Sequence, residues 1–187
     1  PERIVGFGRR RQSLAKDVIV VIDQSGSMAD SVVYASLFGS VLAQLPALRT
    51  RVIAFDTSVT DLTPVLHDPV DVLFGVQLGG GTDIAQAVGY CRQMITRPAD
   101  TVLVLISDLF EGGNPDLLRA RVLDLTRSGV TVLCLLALRD EGAPVHDRAM
   151  AADLVDAGAT VMACTPERFP EVLAQAPAVE DHQFKVP

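Results

Sequence analysis

The chain has 187 residues, 49% hydrophobic and 21% charged, enough apolar content for the packed core of one domain. Its apolar runs at residues 18–22, 101–106 and 130–138 are too short for a bilayer span, which needs roughly 18 residues, and no secretory apolar segment shows at the N-terminus. Net charge is −7, with +4 on residues 1–16 and so −11 on residues 17–187; an acidic body argues against tracking a phosphate backbone, so neither nucleic acid nor membrane is an expected partner.

Residues 1–16, with Arg9-Arg10-Arg11, read as a basic linker or the tail of an upstream region. Residues 17–176 read as one folded domain and residues 177–187 as a loose C-terminal tail. The β-branched run at 17–22 predicts a strand buried on both faces. A helix is expected over 29–45, with Val33, Leu37, Val41 and Leu45 on one face and Pro46 ending it. A strand at 51–56 is followed after two residues by another at 59–63. That gap leaves no room for a crossover, so the two should pair antiparallel. A short helical piece at 68–74 leads into Gly79-Gly80-Gly81.

Further along, Ile84, Val88, Cys91 and Ile95 form one stripe of a helix at 83–95, before a strand at 101–106. The helix at 115–127 has Pro115 at its first position and Gly129 just past its end. A strand at 130–138, a helix at 144–157 closed by Gly158 and a strand at 159–164 complete the alternation. Thr165-Pro166-Glu167 reads as a helix start that Pro170 makes irregular.

This alternation predicts an α/β fold of three layers: a doubly wound, mostly parallel six-stranded sheet with one antiparallel edge strand. Such sheets bind ligands outside the carboxyl ends of their strands, where the strand order reverses. Cys91, Cys134 and Cys164 are odd in number, lie in apolar segments and fit no zinc or iron–sulfur spacing. They read as buried, reduced thiols, which points to the cytoplasm.

The first strand runs into Asp23-Gln24-Ser25-Gly26-Ser27-Met28. A carboxylate and two hydroxyls at alternate positions can be aimed at one point by a turn. Hard oxygen donors of this kind suit Mg²⁺, Ca²⁺ or Mn²⁺ and not zinc. Thr82 follows the glycine run, and Asp108 closes the apolar strand at 101–106. These three motifs in this order resemble the metal-ion-dependent adhesion site of the von Willebrand factor A family, and the resemblance covers residues 17–176.

The resemblance implies a Mg²⁺ ion, with Mn²⁺ or Ca²⁺ as alternatives, held by Asp23, Ser25, Ser27 and Thr82. Asp108 would act directly or through water, and Ser107, Glu111, Gly112 and Gly113 would line the rim, Glu111 as a solvated charge. Neutral hydroxyl ligands leave the ion short of negative charge. Its sixth position, held by water in the free protein, should therefore prefer an Asp or Glu from a partner. The stretches at 78–83, 106–113 and 163–170 resemble bacterial CoxE-like proteins, which are commonly partnered with MoxR-type AAA+ ATPases. The implied role is a metal-dependent protein-binding module, an adaptor or cofactor for such an ATPase, and not an enzyme.

A metal-dependent hydrolase is the first alternative, since two carboxylates and an ion can activate water. No third acid or histidine is placed as its base, and His67, His146 and His182 are dispersed. The other alternative is the von Willebrand A part of an RNA-associated protein, whose separate helical RNA-binding domain has no counterpart here. No P-loop, G-x-S-x-G elbow or G-x-G-x-x-G fingerprint occurs at the positions those chemistries need.

Overall fold

A computed structural model describes residues 16–31, 48–65, 80–136 and 146–163. Strand β1, Lys16–Asp23, is buried at every position from Val18 onward, which is why its sequence is a continuous β-branched run and not an alternation. Strands β2 (Leu48–Phe55), β3 (Val59–Asp61), β4 (Thr101–Ser107), β5 (Thr131–Leu136) and β6 (Thr160–Ala163) join it in the order β3-β2-β1-β4-β5-β6. All pairings are parallel except β2 with β3, where Phe55 opposes Val59. The expected six-stranded sheet with one antiparallel edge strand is thus the observed one. The order reverses between β1 and β4, so their carboxyl ends form the switch point.

Helices α1 (Ile84–Met94), α2 (Pro115–Arg127) and α3 (Arg148–Asp156) bury Ile84, Val88, Cys91, Leu118, Val122, Leu125 and Leu154 against one sheet face, made by Ile19, Val21, Ile53, Phe55, Leu103, Leu105 and Cys134. Each fully buried Val, Leu or Ile side chain contributes roughly 1.5–3 kcal/mol. The other face, with Val18, Val20, Ile22, Val52, Val104 and Leu133, is equally buried. Gly129 (φ +99°) and Gly158 (φ +88°) close α2 and α3 in the left-handed region. They let the N–H groups of Val130 and Ala159 reach back to the Leu125 and Leu154 carbonyls at 3.1 and 2.9 Å, the hydrogen-bond pattern of a Schellman cap.

Strand β2 starts at Leu48, three residues before the expected 51, and three further boundaries differ from the sequence reading. The strand expected to 63 ends at Asp61, because the Asp61 carboxylate accepts from the Thr63 N–H (2.9 Å) and Thr63 Oγ1 from the Val52 N–H (3.2 Å). The Leu62 N–H still donates to the Val52 carbonyl (2.8 Å), but the return bond goes to the Thr63 side chain, and a 3₁₀ turn, Thr63–Val65, follows. The helix expected from 144 starts at Arg148, where Asp147 Oδ1 caps the Met150 N–H at 3.0 Å. Coiling after β1 begins with a 3₁₀ turn, Gly26–Ser31, ahead of the expected start at 29. The rest of that helix, the helical piece at 68–74, the helix start at 165–167, Cys164 and both tails lie outside the described residues. No helix among the described residues is long and apolar enough to cross a membrane.

Candidate metal centre

Asp23 is the last residue of β1 and has 0% exposure. Its Oδ1 accepts from the Ser25 N–H (2.9 Å) and its Oδ2 from the Ser107 hydroxyl (2.6 Å). The chain is pinned as it leaves the strand by the Gln24 N–H, which donates to the Phe55 carbonyl (2.8 Å), and by the Met28 N–H, which donates to the Ser25 carbonyl (3.0 Å). In that turn the Ser25 and Ser27 hydroxyls lie 3.1 Å apart and share a hydrogen bond. The first motif therefore gathers its carboxylate and two hydroxyls, with Ser27 on the solvent side.

Asp108 follows β4, and the pairing of Ile22 with Ile106 sets it beside the end of β1. It is buried, and its Oδ1 accepts from the Phe110 N–H at 3.3 Å. Burial raises the Asp23 carboxyl above the ordinary carboxylate range; bonds from Ser107 and Ser25 oppose this, and the neighbouring Asp108 charge adds to it. Among the described residues no lysine or arginine pairs with either carboxylate. Removing negative charge from water without a counter-charge is costly.

Thr82 is buried in the loop entering α1. On one side Asp83 N–H donates to the Asp56 carbonyl at the end of β2 (2.9 Å); on the other, the Thr82 carbonyl accepts from Gly112 N–H in the loop leaving β4 (2.9 Å). All five predicted residues thus stand at the carboxyl-end edge of the sheet. Asp23, Ser25, Ser27 and Asp108 interact directly or through their charges. Among the described residues the Thr82 hydroxyl makes no hydrogen bond to the other four.

Two residues expected on the rim do something else. Ser107 is wholly buried, donates to Asp23 and accepts the Leu109 N–H at 2.9 Å. Leu109 takes φ +64°, the left-handed region that a side chain with a Cβ occupies at a cost of roughly 1 kcal/mol or more. Glu111 is not a solvated charge. Its Oε2 accepts from the N–H groups of Ile84 (2.8 Å) and Ala85 (3.3 Å), and its Oε1 from that of Gly113 (2.8 Å). Burial raises its carboxyl, against those three bonds. One local signal could have hinted at this: the first turn of α1 holds no acidic residue of its own.

The donors are two carboxylates and three hydroxyls, hard oxygen throughout. No group of three or more His, Cys, Asp or Glu able to hold a metal occurs among the described residues. The set fits Mg²⁺, Mn²⁺ or Ca²⁺ and does not fit zinc.

The chain is 47% identical over 166 residues to YehP of Escherichia coli (strain K12), an alignment covering 89% of this chain and 44% of that protein. It therefore spans less than half the length of that relative. A von Willebrand factor type A structure from Catenulispora acidiphila superposes with a TM-score of 0.64 at 16% identity, over 86% of this chain and 42% of that one. The manganese-loaded TRAP protein of Plasmodium vivax superposes at 0.58 with 12% identity, over 87% and 72%. These two likenesses concern the fold. The family described as VWA domain containing CoxE-like protein matches residues 2–173, and the chain belongs to that family.

Proposed function

We propose that this domain is a divalent-cation-dependent protein-binding module that captures an acidic side chain of its partner. The observation that carries the reading is the buried Asp23 carboxylate beside Asp108, ringed by hydroxyls and without a cationic side chain among the described residues. Asp23, Ser25, Ser27 and Thr82 would hold Mg²⁺, or Mn²⁺ or Ca²⁺ in its place, with Asp108 through water. The ion would supply an electron-poor coordination position that favours a partner carboxylate. The protein's own residues do the rest: Ser107 and the Ser25 N–H orient the Asp23 oxygens, and the sheet excludes water from behind them.

Membership in the CoxE-like family supports an adaptor or cofactor role beside a MoxR-type AAA+ ATPase in the cytoplasm. The net charge of −11 on residues 17–187 opposes long-range capture of an acidic partner, so affinity should rest on the ion. The role proposed is binding without turnover. A hydrolytic rate toward phosphoesters, peptides or ATP that disappears in Asp23→Ala would replace this reading with the hydrolase.

Calorimetric titration with Mg²⁺ and Mn²⁺ is the primary test. Binding should be lost in Asp23→Ala, and unchanged affinity in that folded variant refutes the site. Capture of the ATPase should fail in EDTA, return with Mg²⁺, and be lost in Asp23→Ala and Thr82→Ala. Capture that persists in EDTA places the partner on another face.

A further inference from the structure

We infer that Glu111 and Gly112 clamp the Thr82 loop to the Asp108 loop, so that Glu111 is a positioning residue for the metal site proposed above; the inference rests on that reading. Of the four N–H groups at the start of α1 with no partner inside the helix, that of Asp83 goes to the Asp56 carbonyl (2.9 Å). Asp83 Oδ1 takes that of Gln86 (2.7 Å). The other two, from Ile84 and Ala85, are taken by Glu111, which lies 27 and 26 residues away in sequence and three residues after Asp108. A helix start normally draws its side-chain cap from the N-cap residue itself. Here half of those groups are capped from the loop that carries the opposing carboxylate of the site.

The same loop grips Thr82 by its backbone. Gly112 N–H donates to the Thr82 carbonyl at 2.9 Å. A Cβ on Gly112 would stand 2.6 Å from that carbonyl oxygen and 3.3 Å from the Thr82 nitrogen, both backbone atoms that cannot swing aside. A Cβ on Gly113 would meet Glu111 Oε1 at 2.5 Å and the Asp83 carboxylate at 3.1 Å. The run Glu111-Gly112-Gly113 is therefore a fitted unit: one carboxylate that spans two loops, a Gly112 with no space for a side chain against the Thr82 backbone, and a Gly113 where a side chain would push the Glu111 carboxylate aside. Thr82 and Asp108 cannot separate unless the Gly112–Thr82 bond and the Glu111 cap break with them. A cap that only stabilised α1 would have no need of the Gly112 contact.

The test compares Glu111→Gln and Gly112→Ala with Val122→Ala, a destabilising core truncation in α2, outside both loops in sequence. Amide exchange is followed by NMR on the metal-free proteins, and Mg²⁺ affinity by calorimetry. In Glu111→Gln the Ile84, Ala85 and Gly112 amides should lose protection together. Mg²⁺ affinity should fall roughly 10- to 100-fold, as for other residues that orient metal ligands, and Val122→Ala should leave it unchanged. Glu111→Gln that frees only the Ile84 and Ala85 amides, with Gly112 protection and Mg²⁺ affinity intact, makes Glu111 a plain cap and overturns the clamp. If neither clamp variant folds, the wild type decides. Mg²⁺ should raise protection at Ile84, Ala85 and Gly112 in parallel, and a response confined to one loop overturns the inference. A wild type that binds no Mg²⁺ refutes the proposed function instead. The clamp then stands or falls on whether Gly112 loses protection in Glu111→Gln.

Discussion

Ser107→Ala removes one oxygen that serves both the site and the strained loop beside it. The Ser107 hydroxyl donates to Asp23 Oδ2 at 2.6 Å and accepts the Leu109 N–H at 2.9 Å, with no solvent to replace it. A hydrogen bond to a carboxylate contributes about 1.5–3 kcal/mol, and an orphaned buried N–H costs about 1–3 kcal/mol. The two losses share one atom and one loop, so they do not simply add. Leu109 also gives up the bond that offsets its positive φ. We expect a loss of about 3 kcal/mol, which for a domain of this size lowers Tm by roughly 6–12 °C. Scanning calorimetry in EDTA measures it. Ser128→Ala is the control, because that hydroxyl donates to the Leu125 carbonyl at 2.7 Å from an exposed residue where water can take over. A Ser107→Ala shift no larger than the control's would show that the Ser107 bonds do not hold the site.

Gly158→Ala should destabilise by about 1–3 kcal/mol and Gly129→Ala by about 1 kcal/mol, since both sit at positive φ but only the first crowds a neighbour. The added Cβ meets Thr126 Oγ1 at 3.2 Å at Gly158 and finds nothing nearer than 3.7 Å at Gly129, so equal Tm shifts would remove the steric contribution. Cys91 and Cys134 are buried, and burial pushes both thiols up to about 12. Neither should react with a disulfide reagent at pH 7.5 faster than the protein unfolds. Immediate labelling of either, located by peptide mass, contradicts the packing.

The parts of this molecule that were legible in sequence are those with local causes. Strands β1 and β4 are buried on both faces, so burial writes itself as an unbroken apolar run. Helix α2 matches its expected bounds because Pro115 and Gly129 mark its ends within the chain itself. Helix α3 starts at Arg148 and not at 144, because the cap is the Asp147 side chain, an aspartate that the apolar pattern does not mark. That Asp23, Ser25 and Ser27 come together could be read because one turn gathers them. Ser107 and Glu111 could not. Ser107 matters through Asp23, 84 residues away, and Glu111 through a helix start 27 residues earlier. A lone serine after a strand, or a glutamate before two glycines, carries no periodicity that announces a distant partner.

Burial and charge oppose each other at Asp23. The sheet that buries Val18 to Ile22 on both faces also draws water away from the carboxylate that follows. In a shallow loop the same carboxylate would be satisfied by solvent, and a cation would add little. Here the desolvation that raises its pKa, with Asp108 adding charge of the same sign, is the free energy that a bound cation would recover. Asp23→Ala should therefore cost the fold little. It leaves the Ser25 N–H and Ser107 O–H short of an acceptor, and it relieves a buried negative charge; the two effects run in opposite directions. Near-neutral stability with lost cation binding is the signature expected of a residue kept for its ligand and not for its packing.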